Sequence, residues 1–112
     1  MIYVKIKDIL FPATINGTMN DRDWGNRESK AITVEMDYAS ASGLFVDGVE
    51  WSIVEQVEVE TETGTEMQET EWDNSEYSLA GDIIDHRDGT ITVKLGKLTE
   101  LEEAYEILLG GV

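Results

Sequence analysis

The chain opens on strict alternation. Ile2, Val4 and Ile6 fall on one side and Tyr3, Lys5 and Lys7 on the other, the period of two that marks a strand with one covered face. A second run follows through Phe11, Ala13, Ile15, Gly17 and Met19, with Pro12 near its start, where a missing N–H is tolerated. Residues 20–29 are polar and turn-forming and predict a loop. Ile32, Val34 and Met36 then predict a third strand, with Thr33 and Glu35 facing outward.

The period changes at Asp37. As an N-cap it would open a short helix whose apolar face is Ala41, Leu44 and Phe45, with Gly43 limiting it to one or two turns. Asp47-Gly48 predicts a turn into a long strand, where Val49, Trp51, Ile53, Val57 and Val59 form the apolar face and Glu55 interrupts it. Residues 61–74 carry Glu62, Glu66, Glu69, Glu71 and Asp73, but only Met67 and Trp72 as large apolar groups. Ordering costs about 1–2 kcal/mol per residue, and so little apolar surface cannot offset it. The expectation is a mobile acidic loop over 61–74 that joins two strands.

Tyr77–Asp85 and Thr90–Leu95 predict a hairpin around Arg87-Asp88-Gly89. With Gly89 left-handed in a three-residue loop, His86 pairs with Thr90, Asp85 with Ile91, Ile83 with Val93, Asp82 with Lys94 and Gly81 with Leu95. That register gathers Ile83, Val93 and Leu95 inside and leaves His86, Thr92 and Lys94 outside; a two-residue loop would mix the faces. Thr99 and Glu102 then form a capping box. It opens a helix whose expected buried stripe is Leu101, Tyr105 and Leu108, with a stop at Gly110. Six strands and two helices predict one α+β domain over 1–112. Its mostly antiparallel sheet is either open or closed into a small barrel or roll, and the last helix covers an end or a face.

Charge narrows the function. Twenty-four acidic residues oppose eight basic ones, a formal charge of −16. Between Ala31 and His86 no Lys or Arg occurs, while fifteen carboxylates do, ten of them between Glu50 and Glu76. Such a field repels nucleic acid and anionic membranes, because phosphate binding needs clustered cations. It either attracts a basic protein partner or only keeps the chain soluble. No apolar run approaches the roughly 18–20 residues of a membrane span. The N-terminus lacks the pattern of a signal peptide, and cysteine is absent. The expected location is the cytoplasm of a host cell, or a particle assembled there.

Candidate chemistry is sparse. His86, the one histidine, sits beside a turn with Asp85 on the opposite side of its strand, which is no triad. One His and no Cys exclude the usual zinc sites. Residues 21–28 look superficially like a calcium loop, but the glycine comes early, a third acidic ligand is missing, and Arg22 and Arg27 oppose a cation. The alternative reading is a polar loop whose charges pair with each other. Paired carboxylates for sugar hydrolysis need a cleft that so small a domain hardly provides. The expectation is therefore no enzyme, no cofactor and no metal. Trp24 and Trp72 lie in polar stretches, where a tryptophan either anchors a partner or folds back over the sheet end. With Glu58, Glu60 and Glu62 they are the candidate partner-binding residues.

Two blocks, residues 31–54 around Asp47-Gly48-Val49-Glu50-Trp51 and residues 79–93 around His86-Arg87-Asp88-Gly89, together with Phe11-Pro12-Ala13-Thr14-Ile15, carry a further signal. They resemble a group of uncharacterised small acidic proteins encoded in prophages of Gram-positive bacteria. The resemblance implies a phage setting: a minor virion or tail-region component, or an accessory factor. Three functions are then ranked. First is a binding or assembly module, self-associating or docking on a larger complex through sheet edges or the C-terminal helix. Second is an acidic imitator of nucleic acid that occupies the basic groove of a DNA-binding enzyme. An enzyme acting through carboxylates ranks last.

Overall fold

The computed structural model describes residues 1–110, and it resolves the opening alternation into two strands. β1 (Ile2–Ile6) turns through Lys7 and Asp8 directly into β2 (Ile9–Asp21), with Ile6 paired to Ile9. Both turn residues take positive φ, 53° and 65°, the geometry whose twist matches a two-residue hairpin. Neither is glycine or asparagine, so the turn leaves little mark in the sequence. A 3-10 turn (Arg22–Trp24) and Gly25-Asn26 lead into β3 (Arg27–Glu35), which makes the expected loop at 20–29 a much tighter connection. Helix α1 (Tyr38–Leu44) starts at Asp37, whose carboxylate accepts the Ser40 N–H at 2.6 Å, as the sequence predicts.

β4 (Ser52–Thr61) is followed by a strand where a loop was expected. β5 (Gly64–Asp73) pairs with β4 over ten consecutive residues, from Thr61 opposite Gly64 to Ser52 opposite Asp73, around the two-residue turn Glu62-Thr63. The loop reading of 61–74 is thus corrected to a hairpin. β6 (Leu79–Asp85) and β7 (Thr90–Gly96) follow, then α2 (Glu100–Gly110), which includes the glycine expected to stop it; what ends it lies outside the described residues. The strands form one antiparallel sheet in the order β5-β4-β1-β2-β3-β7-β6. The class is α+β, with seven strands rather than six. The sheet does not close, since β5 and β6 remain edges, so the barrel alternative falls away.

The β6–β7 hairpin has the expected register near its turn, with Asp85 opposite Ile91 and Ile83 opposite Val93. Farther along, an irregularity between Ala80 and Ile83 puts Ala80, not Gly81, opposite Leu95. A bulge there absorbs one residue, which pattern alone does not reveal.

One sheet face carries the core. Val4 and Ile6 of β1, Ile32 and Val34 of β3, and Ile91, Val93 and Leu95 of β7 form one buried cluster with Ala41, Phe45, Val49, Trp51 and Tyr77. Burial of each such side chain contributes roughly 1.5–3 kcal/mol. Trp51, as expected, is core: it is 2% exposed, donates its indole N–H to the Tyr77 carbonyl at 3.0 Å and meets the Tyr77 ring edge-on. Two elements escape this core. Beyond Gln56 the β4–β5 hairpin has no third strand beside it, and α2 leaves Leu101 81%, Tyr105 64% and Leu108 71% exposed. The stripe expected to be buried is therefore open. The radius of gyration is 16.4 Å, against about 13 Å for a compact chain of this length, because these two parts project.

Candidate protein-docking surfaces

The first surface is the β4–β5 ribbon. β1 pairs with β4 from Ser52 to Glu55, and the N-terminal ammonium reaches the Gln56 carbonyl at 2.8 Å. Past that point only β5 accompanies β4. Residues opposite one another share a face, so Glu58, Glu60, Met67, Glu69, Glu71 and Asp73 lie on one side. Ile53, Val57, Val59 and Trp72 lie on the other, with Glu55 and Glu66 among them. Val57 is 45% exposed and Trp72 48%: the alternation read from the sequence is real, but the core has ended before it reaches Val57. The ribbon is anchored at its base. Lys5 meets Glu71 at 2.9 Å, and that hydrogen bond and charge raise the lysine pKa. Asp73 accepts from the Ser75 hydroxyl at 2.6 Å and from its N–H, which hold the carboxyl below its usual range.

Four of the five candidate residues meet here. Glu58, Glu60 and Trp72 stand on the ribbon and Glu62 in its turn. Trp24 does not. It belongs to the opposite half of the sheet, where its ring lies on Gly81 of β6 and Gly96 of β7. A Cβ on Gly96 would sit 2.7 Å from the ring, so the two glycines make the floor on which the tryptophan rests. The Arg27 guanidinium lies over the ring, 5.1 Å from its centroid. This is the folded-back alternative for Trp24.

The calcium-like segment is likewise committed to structure, though its partners come from elsewhere in the chain. Asp21, 6% exposed, caps the 3-10 turn at the Asp23 N–H and accepts from Ser29 at 3.0 Å and Lys94 at 2.8 Å. Above all the lysine holds its carboxyl below the usual range. The two arginines do not neutralise their own loop as expected. Arg27 makes a two-pronged contact to Glu102 of α2 at 2.6 and 3.0 Å. Among the described residues no group of three or more His, Asp and Glu is placed to hold a metal.

The second surface is α2. Its start is built as the sequence predicts: Glu102 accepts the Thr99 N–H at 2.9 Å, and the Thr99 hydroxyl accepts the Glu102 N–H at 3.3 Å. Arg27 first, and then the Thr99 N–H, lower the Glu102 pKa to about 2. Leu101, Tyr105 and Leu108 share one helical face. With Leu98 and the stems of Glu102 and Glu106, Leu101 and Tyr105 line an open depression of about 460 Å³. Sequence reasoning found this stripe but gave it to the protein's own core. It missed Met67 and the whole β5 edge; the only signals for them were the β-branched threonines and the lack of proline in residues 64–73.

A groove of about 520 Å³ at the ribbon base is lined by Lys5, Lys7, Asp8, Glu50, Glu71 and Asp73, and it is open to solvent. No helix among the described residues is long and apolar enough to cross a membrane. No family model, no curated protein and no solved structure matches the chain.

Proposed function

We propose that this chain is a non-enzymatic binding or assembly module that works through protein–protein contacts. One observation carries the reading. Of the thirteen large apolar side chains left exposed among the described residues, six are on the two projecting parts: Val57 and Met67 on the outer ribbon, and Leu101, Tyr105, Ile107 and Leu108 on α2; a seventh, Trp72, stands at the ribbon base opposite Ile53. Apolar groups gathered on protrusions, and rimmed by carboxylates, suit insertion into a complementary partner. The surrounding charge favours a basic one. The resemblance to prophage-encoded proteins supplies the setting: a minor structural or accessory component, acting in the host cytoplasm or within a phage particle.

The test is photo-cross-linking in the producing cells, with a photoreactive residue at Met67, at Tyr105 or, as control, at Ile84 on the opposite edge, joined to sedimentation of the pure protein. Cross-links from the first two positions to a defined protein, or to a second copy, support the module. A strict monomer without cross-links from either position removes it. The imitation of nucleic acid is the weaker reading. Carboxylates stand on both faces of the ribbon, on α2 and around the β6–β7 turn, rather than in one array.

A further inference from the structure

The two edges of this sheet are not alike. β6 is short, carries the irregularity between Ala80 and Ile83, and has α1 packed against it. Native sheets guard their edges in just such ways, or with lysine and proline. β5 has none of these; its one safeguard is like charge, from Glu66, Glu69, Glu71 and Asp73. It runs ten residues without proline, lysine or a register break, every residue exposed.

Which of its backbone groups are free follows from the register. Thr61 and Gly64 flank a two-residue turn, so they exchange the first pair of ladder bonds. Counting by twos, Glu66, Gln68, Thr70 and Trp72 bond back to β4. Thr65, Met67, Glu69, Glu71 and Asp73 point their N–H and C=O groups outward. A second contact fixes the same phase: Gln56, opposite Glu69, donates its backbone N–H to Met1 on the β1 side at 3.0 Å, so Glu69 has no bond from it.

We propose that β5 is an acceptor edge for an extended basic segment of a partner protein, which adds to the sheet as an eighth strand. The proposal rests on the docking reading above and names the partner's chemistry. Its main-chain bonds would satisfy the outward groups, and its alternating side chains would meet two different faces. On one face lie Glu69, Glu71 and Asp73. Glu69 accepts from Gln56 at 3.0 Å and Glu71 from Lys5 at 2.9 Å, each through one oxygen, which leaves the second for an incoming lysine or arginine. On the other face Gln68, Thr70 and Trp72 form a short uncharged track that runs from Glu66 to an indole, with Glu55 of β4 behind Thr70. A segment alternating cationic and apolar residues fits both. A second copy of this chain fits poorly, because its β5 would set Glu66, Glu69, Glu71 and Asp73 against the same residues.

The probe is a ten-residue peptide of alternating lysine and valine, titrated into the isotope-labelled full chain. The expected result is slowed exchange of the Met67, Glu69 and Glu71 amides. Methylating alternate peptide nitrogens should weaken binding at least tenfold with charge unchanged, and a glutamate–valine peptide should not bind. Glu69→Pro removes one outward N–H while sparing the bonds to β4, and should also weaken binding at least tenfold. Glu69→Gln keeps that N–H and should cost less. Met67→Pro has the same phase and serves if Glu69→Pro fails to fold. No protection of β5 amides, or undiminished binding by both proline variants or by the methylated peptide, overturns strand addition. Cross-links from Tyr105 on α2 are untouched by that result, so the module reading fails or stands separately.

Discussion

Trp24 shows how a single side chain can look functional in a sequence and be structural in the fold. Its flanks are polar and its segment is a turn, yet Gly81 and Gly96 leave a flat patch of backbone that a bare indole fills. An added methyl at Gly96 would lie 2.7 Å from the Trp24 ring and 2.8 Å from the Arg27 Cδ, closer than packed carbons approach. Gly96→Ala should therefore lower stability by about 1–3 kcal/mol, the usual cost of overpacking, and the melting temperature by several degrees. Because the strain is shared with the indole, most of that loss should vanish when Gly96→Ala is made in a Trp24→Ala background. Thermal melts of the four proteins in this cycle measure the coupling, and simple additivity would mean that the ring does not rest on Gly96.

Glu102 makes a matching case for charge. Its folded pKa, about 2, lies below the ordinary value of 4.5. A depressed carboxyl stabilises the fold fully above its unfolded pKa, and the contribution is lost as pH falls through the folded one. The bridge from Arg27 to the start of α2 should thus hold at neutral pH and weaken between about pH 4.5 and 2. Amide chemical shifts of Glu102 and Glu103 in the folded protein should titrate near the lower end of that window, with a midpoint of about 2. In Glu102→Gln the step should be absent; a step of unchanged size would assign it to another group.

At the scale of elements, α2 is held by its first turn and little else. Leu101→Ala and Tyr105→Ala should each change stability by less than about 0.5 kcal/mol, since neither side chain is covered. Urea melts of the two variants provide the check, and a loss of 2 kcal/mol or more would place the stripe in the core after all. The helix, its capping box and its apolar face were all legible in the sequence. What covers that face was not, because amphipathicity records that a surface wants burial and is silent on whose surface provides it. The same holds for Val57 and Val59, whose alternation is sound although the body has ended. β5 was illegible for a different reason: a strand with no covered face has no period-two apolar signal, and Thr65, Met67 and Trp72 are too few to supply one. By contrast, β1, β3 and β7 each bury one face in the core cluster, β2, β4 and β6 pack partly buried apolar groups against it, and the pattern located all six. The candidate site was half legible for the same cause. Its carboxylates could be counted, but the edge that aligns them is made of backbone.

The whole molecule sums these parts into an elongated body, 57 × 35 × 25 Å, with formal charge −16. Much of its length and a quarter of that charge belong to the outer ribbon. Replacing Glu58–Met67 by Asn-Gly would close a new turn between Val57 and Gln68, which face each other in the native register at a pair that exchanges ladder bonds. The deletion takes out Glu58, Glu60, Glu62 and Glu66 and brings the formal charge to −12. Among the apolar groups removed, Met67 is 58% exposed and Val59 only partly covered, so little burial is lost. Shortening a hairpin also changes closure entropy only weakly. The melting temperature in 150 mM salt should therefore move by no more than a few degrees, while the radius of gyration in solution drops measurably below that of the parent. Self-repulsion adds a third readout. Salt screens the crowded carboxylates, so raising it should stabilise the parent more than the shortened chain. A fall of ten degrees or more on deletion would show that the ribbon holds the body together, and an equal salt response in both proteins would place the dominant repulsion elsewhere on the surface.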